Sequence, residues 1–329
     1  MPKMENIPPC PDAIRGVKTG VEKSFQIELI TPMFGGGAEA KLADTSLPIR
    51  PTSIRGHLQF WWRATVGAAF STPEELRDAQ SKLWGSTTLA SPVTVSLGDV
   101  NSDRAVQCAL IQWNPNARRG EGGFGTNWQS PFNIIGTSLP YALFPFQGVV
   151  PRPDRNAVVE SPPSDCIHHA TFHLRIHVPE ALAEQVETAI WAWVNFGGLG
   201  SRTRRGCGSL FCKQFATKDA NELKARLEKH SAFPVREWPT VSTTAFLGGS
   251  TRDSIAAWNE AIKIMQVFRQ GVGTGRNPGE QPNRPGRSRR VNAFNLRRVP
   301  SSESPAETRS HIPREVASDE CLPCASGCA

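Results

Sequence analysis

Two stretches of this 329-residue chain alternate apolar and polar side chains, and each is succeeded by a helical pattern; that pairing limits the fold most. In Ser24 to Thr31, Phe25, Ile27 and Leu29 share one face and Gln26 and Glu28 the other, as in a half-buried strand. Ala170 to Val178 repeats the alternation with Phe172, Leu174, Ile176 and Val178. The first strand stops at Pro32 and the glycine run 35–37, a loop, and a helix is expected from an N-cap at Ser53 to about Phe70. The second strand leads through Pro179 into Leu182, Val186, Ala189, Ile190 and Trp193 at helical spacing, stopped by Gly197. Ser209 to Phe215 reads as the next strand.

Between the two units, Pro92 to Gly98 and Ala105 to Trp113 read as arms of an antiparallel pair. An irregular insertion comes next at 114–165, rich in Gly, Pro and Asn, with an apolar piece from Tyr141 to Phe146. With one strand allowed in the insertion, the order is compatible with an α+β, ferredoxin-like (RRM-like) βαββαβ unit over 24–216, preceded by a segment 1–23. A helix at about Arg252 to Phe268, with Ile255, Trp258, Ile262 and Met265 on one face, belongs to a later unit beyond a linker near 217–250.

Charge narrows the function classes. Arg269, Arg276, Arg284, Arg287, Arg289, Arg290, Arg297 and Arg298 with Glu280 account for the whole net charge of +7. Such a stretch suits a polyanion partner, or equally a solvated tail; charge alone does not separate the two. No run of 18 apolar residues marks a membrane span, and Met1 to Pro11 lacks an export signal. The expectation is a cytoplasmic protein whose eight cysteines stay reduced.

The sharpest local feature runs from Gly197 to Gly208. Gly197, Gly198, Gly200, Gly206 and Gly208 permit close backbone approach, and Arg202, Arg204 and Arg205 offer phosphate forks. A Walker loop would need a strand before it, a helix after it and a Gly-Lys-Ser/Thr; this loop comes after a helix and precedes a strand. It suits an RNA backbone, with a flexible turn carrying surface arginines as the plainer alternative. On the first helix, Arg55, Gln59 and Arg63 form a polar stripe with no acid beside it.

Taken together, the glycine loop, Ile30-Thr31-Pro32, Arg50-Pro51-Thr52-Ser53-Ile54-Arg55-Gly56, Phe60-Trp61-Trp62-Arg63, Leu83-Trp84-Gly85-Ser86, Phe268-Arg269-Gln270-Gly271-Val272-Gly273 and Arg284-Pro285-Gly286-Arg287-Ser288-Arg289 carry a resemblance. The chain resembles the RAMP superfamily, and within it the first RAMP subunit of the type III-B (Cmr) CRISPR effector complex. The resemblance implies a non-catalytic scaffold without cofactor or metal, capping a RAMP filament near the guide-RNA 3′ end and helping to seat target RNA in antiviral defence. Its partners would be guide RNA, target RNA and neighbouring Cmr subunits, with no membrane. Arg50, Ser53, Arg55 and Arg63 would face the RNA backbone, flanked by Arg202, Arg204 and Arg205, with Arg269, Arg287 and Arg289 further on. One departure is large: the family continues its Arg-Ser-Arg block with Trp-Pro-Glu/Asp, whereas Arg290-Val291-Asn292 stands here. The expectation is a shortened second RAMP domain at 217–290 and a disordered tail at 291–329, from a truncated or frame-shifted gene or a lineage with a shortened domain.

His57 is the best candidate for an enzyme, since RAMP ribonucleases that process guide precursors often use a histidine in this region as general acid or base. On a helical wheel it falls beside Trp61 and Ala64, away from Arg55, which favours a packed histidine. His169, His173 and His177 share a strand face but span about twice the ~7 Å same-face repeat, too far for one ion. Cys321, Cys324 and Cys328, with His311 nearest, have a zinc-like first spacing that reads as chance.

Overall fold

A computed structural model describes residues 20–37, 39–108, 110–112, 127–129, 137–149, 163–217, 219–231, 236–242 and 253–270. The first half contains β1 (Val21–Leu29), β2 (Met33–Phe34), α1 (Pro51–Ala64), α2 (Pro73–Trp84), β3 (Thr94–Ser102), β4 (Val106–Gln107), β5 (Leu110–Gln112), β6 (Asn127–Gln129) and α3 (Leu139–Leu143). The second contains β7 (Gly148–Val149), β8 (Asp165–Ile167), β9 (Ala170–Val178), α4 (Ala183–Phe196), β10 (Leu210–Phe211), α5 (Ala220–His230) and α6 (Ser254–Gln270).

The two alternating segments pair with each other over their full length, from Val21↔Val178 to Leu29↔Ala170. With β3 beside β9 and β10 beside β1, they build a four-stranded antiparallel sheet ordered β10-β1-β9-β3. Counted in chain order, these strands lie fourth, first, third, second, with α1 after the first and α4 after the third: the fold is ferredoxin-like. The apolar face carries Phe25, Ile27, Leu29, Phe172, Leu174 and Ile176, and it packs under Ile54, Leu58 and Trp62 of α1 and Val186, Ile190 and Trp193 of α4. Trp62 and Trp193 are fully buried, and truncating a ring so placed costs about 3–5 kcal/mol. On α4 even Trp191 and Val194 are buried, because α5 adds Leu223 and Leu227 to the same core from the other side.

Several local boundaries differ from the sequence expectation. α1 begins at Pro51, with Pro in the first turn, and ends at Ala64; Val66 to Ala69 forms a 3-10 turn instead of extending the helix to Phe70. The expected pairing of Pro92–Gly98 with Ala105–Trp113 does not form. β3 pairs with β9, the register shifts between Gly98 and Asn101 beside Asp99 at φ 49°, and β4 then pairs with β8 in a second sheet. The last strand ends at Phe211, since Lys213 to Phe215 turns back as a 3-10 helix and stacks Phe215 on Phe25 at 5.2 Å. α2 is a helix that the sequence pattern does not mark, and α5 lies within the expected linker.

A smaller core sits beyond the end of β1. Phe34, Cys108, Cys166 and Cys207 meet Leu139, Ala142 and Leu143 of α3 and Trp258 and Ile262 of α6. The described part of the insertion and α6 thus pack together, and Asn259 Oδ1 accepts the Ser138 N–H at 2.8 Å. No helix among the described residues is long and apolar enough to cross a membrane.

Candidate nucleic-acid interface

Sheet order decides what meets at the site. Leu29 pairs with Leu210, so the connection from β1 to α1 and the connection from α4 to β10 leave the sheet at the same end. They are bolted together. Ile30 N–H donates to Ser209 O at 2.9 Å, the Thr31 hydroxyl to Gly206 O at 2.6 Å, Gly208 N–H to Pro32 O at 2.9 Å and Ser201 N–H to Phe34 O at 2.9 Å. The Trp193 indole N–H donates to Gly198 O at 3.1 Å, which ties the loop to the buried helix.

This packing explains the glycines. Gly208 has φ +69°, and a Cβ there would overlap the Leu199 carbonyl; one on Gly200 would overlap that of Phe34. A Cβ on Gly197 would stand 2.7 Å from the Trp61 indole nitrogen, one on Gly198 2.7 Å from Gly208 O, and one on Gly206 2.7 Å from the Trp258 ring. Their missing side chains let the loop close on its own protein. Two glycines of the β1–α1 connection have room above them: Gly35, where a Cβ would meet only Ser201 at 3.6 Å, and Gly36, where it would meet only Pro48 O at 3.9 Å. They form a side-chain-free strip between the arginine loop and the start of α1. In the sequence this run reads only as a loop; its place beside Ser201 becomes visible once β1 and β10 pair.

The loop arginines have donors to spare. Arg202 is held at φ 57°, and its Nε is buried without a hydrogen-bond partner; so is Nη1 of Arg205. The Arg205 guanidinium lies over the Tyr141 ring at 4.6 Å, and its carbonyl accepts the Trp258 indole N–H at 2.6 Å. Arg204 is exposed. The nearby Cys207 thiol is pushed up to about 12 by burial, so it stays neutral and supplies no anion to these guanidiniums.

The α1 residues are differently placed. Arg55 donates to the Trp84 carbonyl and to Val93 O at 3.0 Å, with its guanidinium 5.6 Å from the Trp84 ring centre, and burial lowers its pKa. Arg63 donates to Gln80 Oε1 at 3.2 Å. Arg50 meets Asp44 Oδ2 at 2.6 Å, and the Leu47 N–H and then Arg50 hold that carboxyl below its usual range. Ser53 is exposed on the first turn, and Arg269 is exposed near the end of α6. Arg287 and Arg289, like Cys321, Cys324, Cys328 and His311, lie outside the described residues.

His57 stacks on Trp193, ring centres 6.2 Å apart and 14° from parallel, and burial lowers its pKa. On the open sheet face, His173 Nδ1 is 3.2 Å from Asp99 Oδ2, which Arg175 shares at 3.5 Å, and His169 Nδ1 is 3.9 Å from Glu28. Among the described residues no three His, Cys, Asp or Glu side chains converge on a metal position.

Comparison with known proteins gives consistent relatives. The family model of the RAMP superfamily matches residues 26–211. The chain is 24% identical over 197 residues to the CRISPR system Cmr subunit Cmr1-2 of Pyrococcus furiosus, covering 57% of this chain and 94% of that protein. It is 27% identical over 184 residues to Cmr1-1 of the same organism, covering 56% of this chain but only 46% of the relative. Among solved structures, the apo crystal structure of Cmr1 from Pyrococcus furiosus aligns at 18% identity over 79% of each chain, with a TM-score of 0.45. A chain in a cryo-EM structure of the type III-B Cmr-beta complex bound to cognate target RNA and AMPPnP aligns at 15% identity over 66% of this chain and 65% of that one, with a TM-score of 0.38.

Proposed function

The chain belongs to the RAMP superfamily, and on that footing we propose that it is an RNA-binding, non-catalytic subunit of a type III-B CRISPR Cmr ribonucleoprotein. In that assembly it caps the RAMP filament near the guide-RNA 3′ end and helps capture target RNA, beside other Cmr subunits in the cytoplasm. In this reading the second RAMP domain begins beyond α5, since Leu223 and Leu227 belong to the core of the first. The observation that carries the proposal is a trio of arginines, Arg202, Arg204 and Arg205, on a loop clamped from both sides, none of which meets a carboxylate among the described residues. Arg202 and Arg205 are only partly buried, so the remaining nitrogens of their guanidiniums stay within reach of a phosphate, which accepts from such forks. Arg204 is exposed at the same loop, and Gly35 lies against Ser201 of that loop, so a backbone laid along the Gly35–Gly36 strip passes these cations.

The non-catalytic reading is supported by the packing of the His57 ring, which stacks on Trp193. The test is binding of labelled guide-like RNA across a salt series, wild type against the Arg202→Ala, Arg204→Ala, Arg205→Ala triple variant, with RNA integrity followed on a gel. The expected outcome is uncut RNA, weaker binding by the variant, and a log K against log salt slope smaller by about 2, since each phosphate neutralised on a single strand contributes roughly 0.7. RNA cut in EDTA by wild type but not by His57→Ala would replace this reading with a metal-independent ribonuclease.

A further inference from the structure

Beside the arginine loop, the segment from Leu139 to Phe146 presents one aromatic ring to solvent and pins down its neighbours. Leu139, Ala142 and Leu143 are fully buried. Tyr141 lies under the Arg205 guanidinium at 4.6 Å, and Phe146 stacks on Phe34 with ring centres 3.9 Å apart and planes 3° from parallel. The Gln147 side chain donates to Pro140 O at 2.8 Å and closes the turn. Between these anchors Phe144 is 64% exposed, the most exposed large apolar side chain among the described residues.

From this arrangement we infer that Phe144 is a stacking platform for a nucleobase of single-stranded RNA whose phosphate lies on the Arg202–Arg205 loop. The inference rests on the RNA-binding reading above and adds to it the residue that takes the base. Phe144 keeps helical backbone angles and comes three residues after Tyr141, so the two side chains are neighbours about 5–6 Å apart at Cβ. It therefore stands one helical turn along from Tyr141, the ring that lies under the Arg205 guanidinium. An exposed ring on a segment fixed at both ends loses little freedom on binding, and aromatic stacking beside a cationic groove is how sequence-tolerant single-strand sites add affinity. The cations at this loop favour a polyanion over an apolar protein face.

The two contributions separate by salt. Arginine contacts weaken as salt rises, whereas base stacking does not release counterions. The experiment uses the full chain and a single-stranded RNA carrying 2-aminopurine at successive positions. Wild type should quench the fluorescence at one position. Phe144→Ala should lose that quench and bind about tenfold more weakly, with an unchanged salt slope, and Phe144→Tyr should restore both. Because the ring is exposed, the thermal midpoint of Phe144→Ala should match wild type, which separates a missing base platform from an unfolded protein. Wild-type affinity and quenching in Phe144→Ala would overturn the stacking role while leaving the RNA reading intact. Wild type that binds no RNA would overturn both. RNA binding unchanged, with docking to a neighbouring subunit abolished, would make Phe144 a protein contact instead.

Discussion

The first helix and the glycine loop both carry arginines, yet they use them in opposite ways. On α1, Arg55 is bonded to the carbonyls of Trp84 and Val93, and Arg63 to Gln80. On the loop, Arg202 and Arg205 keep buried nitrogens unmatched, and Arg204 faces solvent. The difference comes from what each arginine finds next to it. Trp84 ends α2, so its carbonyl has no partner within that helix, and Arg55 takes the place of a helix C-cap. The loop carbonyls of Gly206, Gly208 and Gly198 are already taken by Thr31, Leu199 and Trp193. An arginine becomes a brace where backbone acceptors are left over and a ligand-seeking group where they are not.

The strongest way to break this contrast is to deform the loop while leaving α1 alone. Gly208→Ala puts a methyl into the Leu199 carbonyl at a backbone angle that L side chains rarely adopt. Overpacking against backbone and left-handed strain together should cost on the order of 3 kcal/mol or more. Denaturant unfolding should show the loss, and RNA binding should fall with it because Arg202 to Arg205 are displaced. A Gly208→Ala protein of wild-type stability would mean that the loop is not packed as described.

Next in size is Arg55→Ala, which removes two charge-assisted bonds that join α1 to α2 and to the chain before β3. The expected loss is about 2–3 kcal/mol in denaturant unfolding, discounted from a fully buried case because the side chain is partly exposed. At a temperature where the variant is folded, its RNA salt slope should equal that of wild type, unlike that of the loop triple variant. A reduced slope would turn Arg55 back into a phosphate contact.

The contrast also marks how much of the molecule is legible in its chain. The two alternating segments are legible, because burying Phe25, Ile27 and Leu29 against one layer leaves a period-two trace; so is α4, from its spacing. α2 escapes a reading by periodicity although Thr72 and Glu75 form a capping box in front of Pro73, because its buried stripe is only Leu76, Leu83 and Trp84. α5 escapes for the same reason, with Asp219 as its N-cap and only Leu223 and Leu227 buried. The partner of β3 lies far along the chain, a nonlocal pairing that local alternation does not encode. The sequence shows no acid on the stripe of Arg55, but the acceptors that hold this arginine are backbone carbonyls, which every residue has and no sequence pattern announces.

A smaller effect tests whether His57 belongs with the braces. Burial lowers its pKa, so above the ordinary value near 6.5 the folded and unfolded chains both hold it neutral. Below that value the unfolded chain takes up a proton that the folded chain resists, and stability falls as pH drops. His57→Gln should shrink the gap in unfolding free energy between pH 7.5 and 5.5 by at most about 1.4 kcal/mol, leaving the part due to His230, whose pKa burial also lowers. An unchanged gap would place His57 in solvent and return it to the candidates for proton transfer.

The smallest expected effect locates the RNA path most finely. Gly56 lies in α1, and a Cβ there would meet nothing within 4 Å. Unlike the loop glycines, it has no packing reason to be glycine, and in a helix it costs about 0.5–1 kcal/mol relative to alanine. Gly56→Ala should therefore raise stability by about that amount. Its effect on RNA then tells where the strand runs. Gly56 is one turn from the exposed Ser53, on the face that the family resemblance assigns to the RNA backbone. If RNA tracks the Gly35–Gly36 strip and the arginine loop, the added methyl leaves affinity unchanged. If RNA crosses α1 closely, the same methyl weakens binding in a protein that has become more stable, a combination that no folding defect produces.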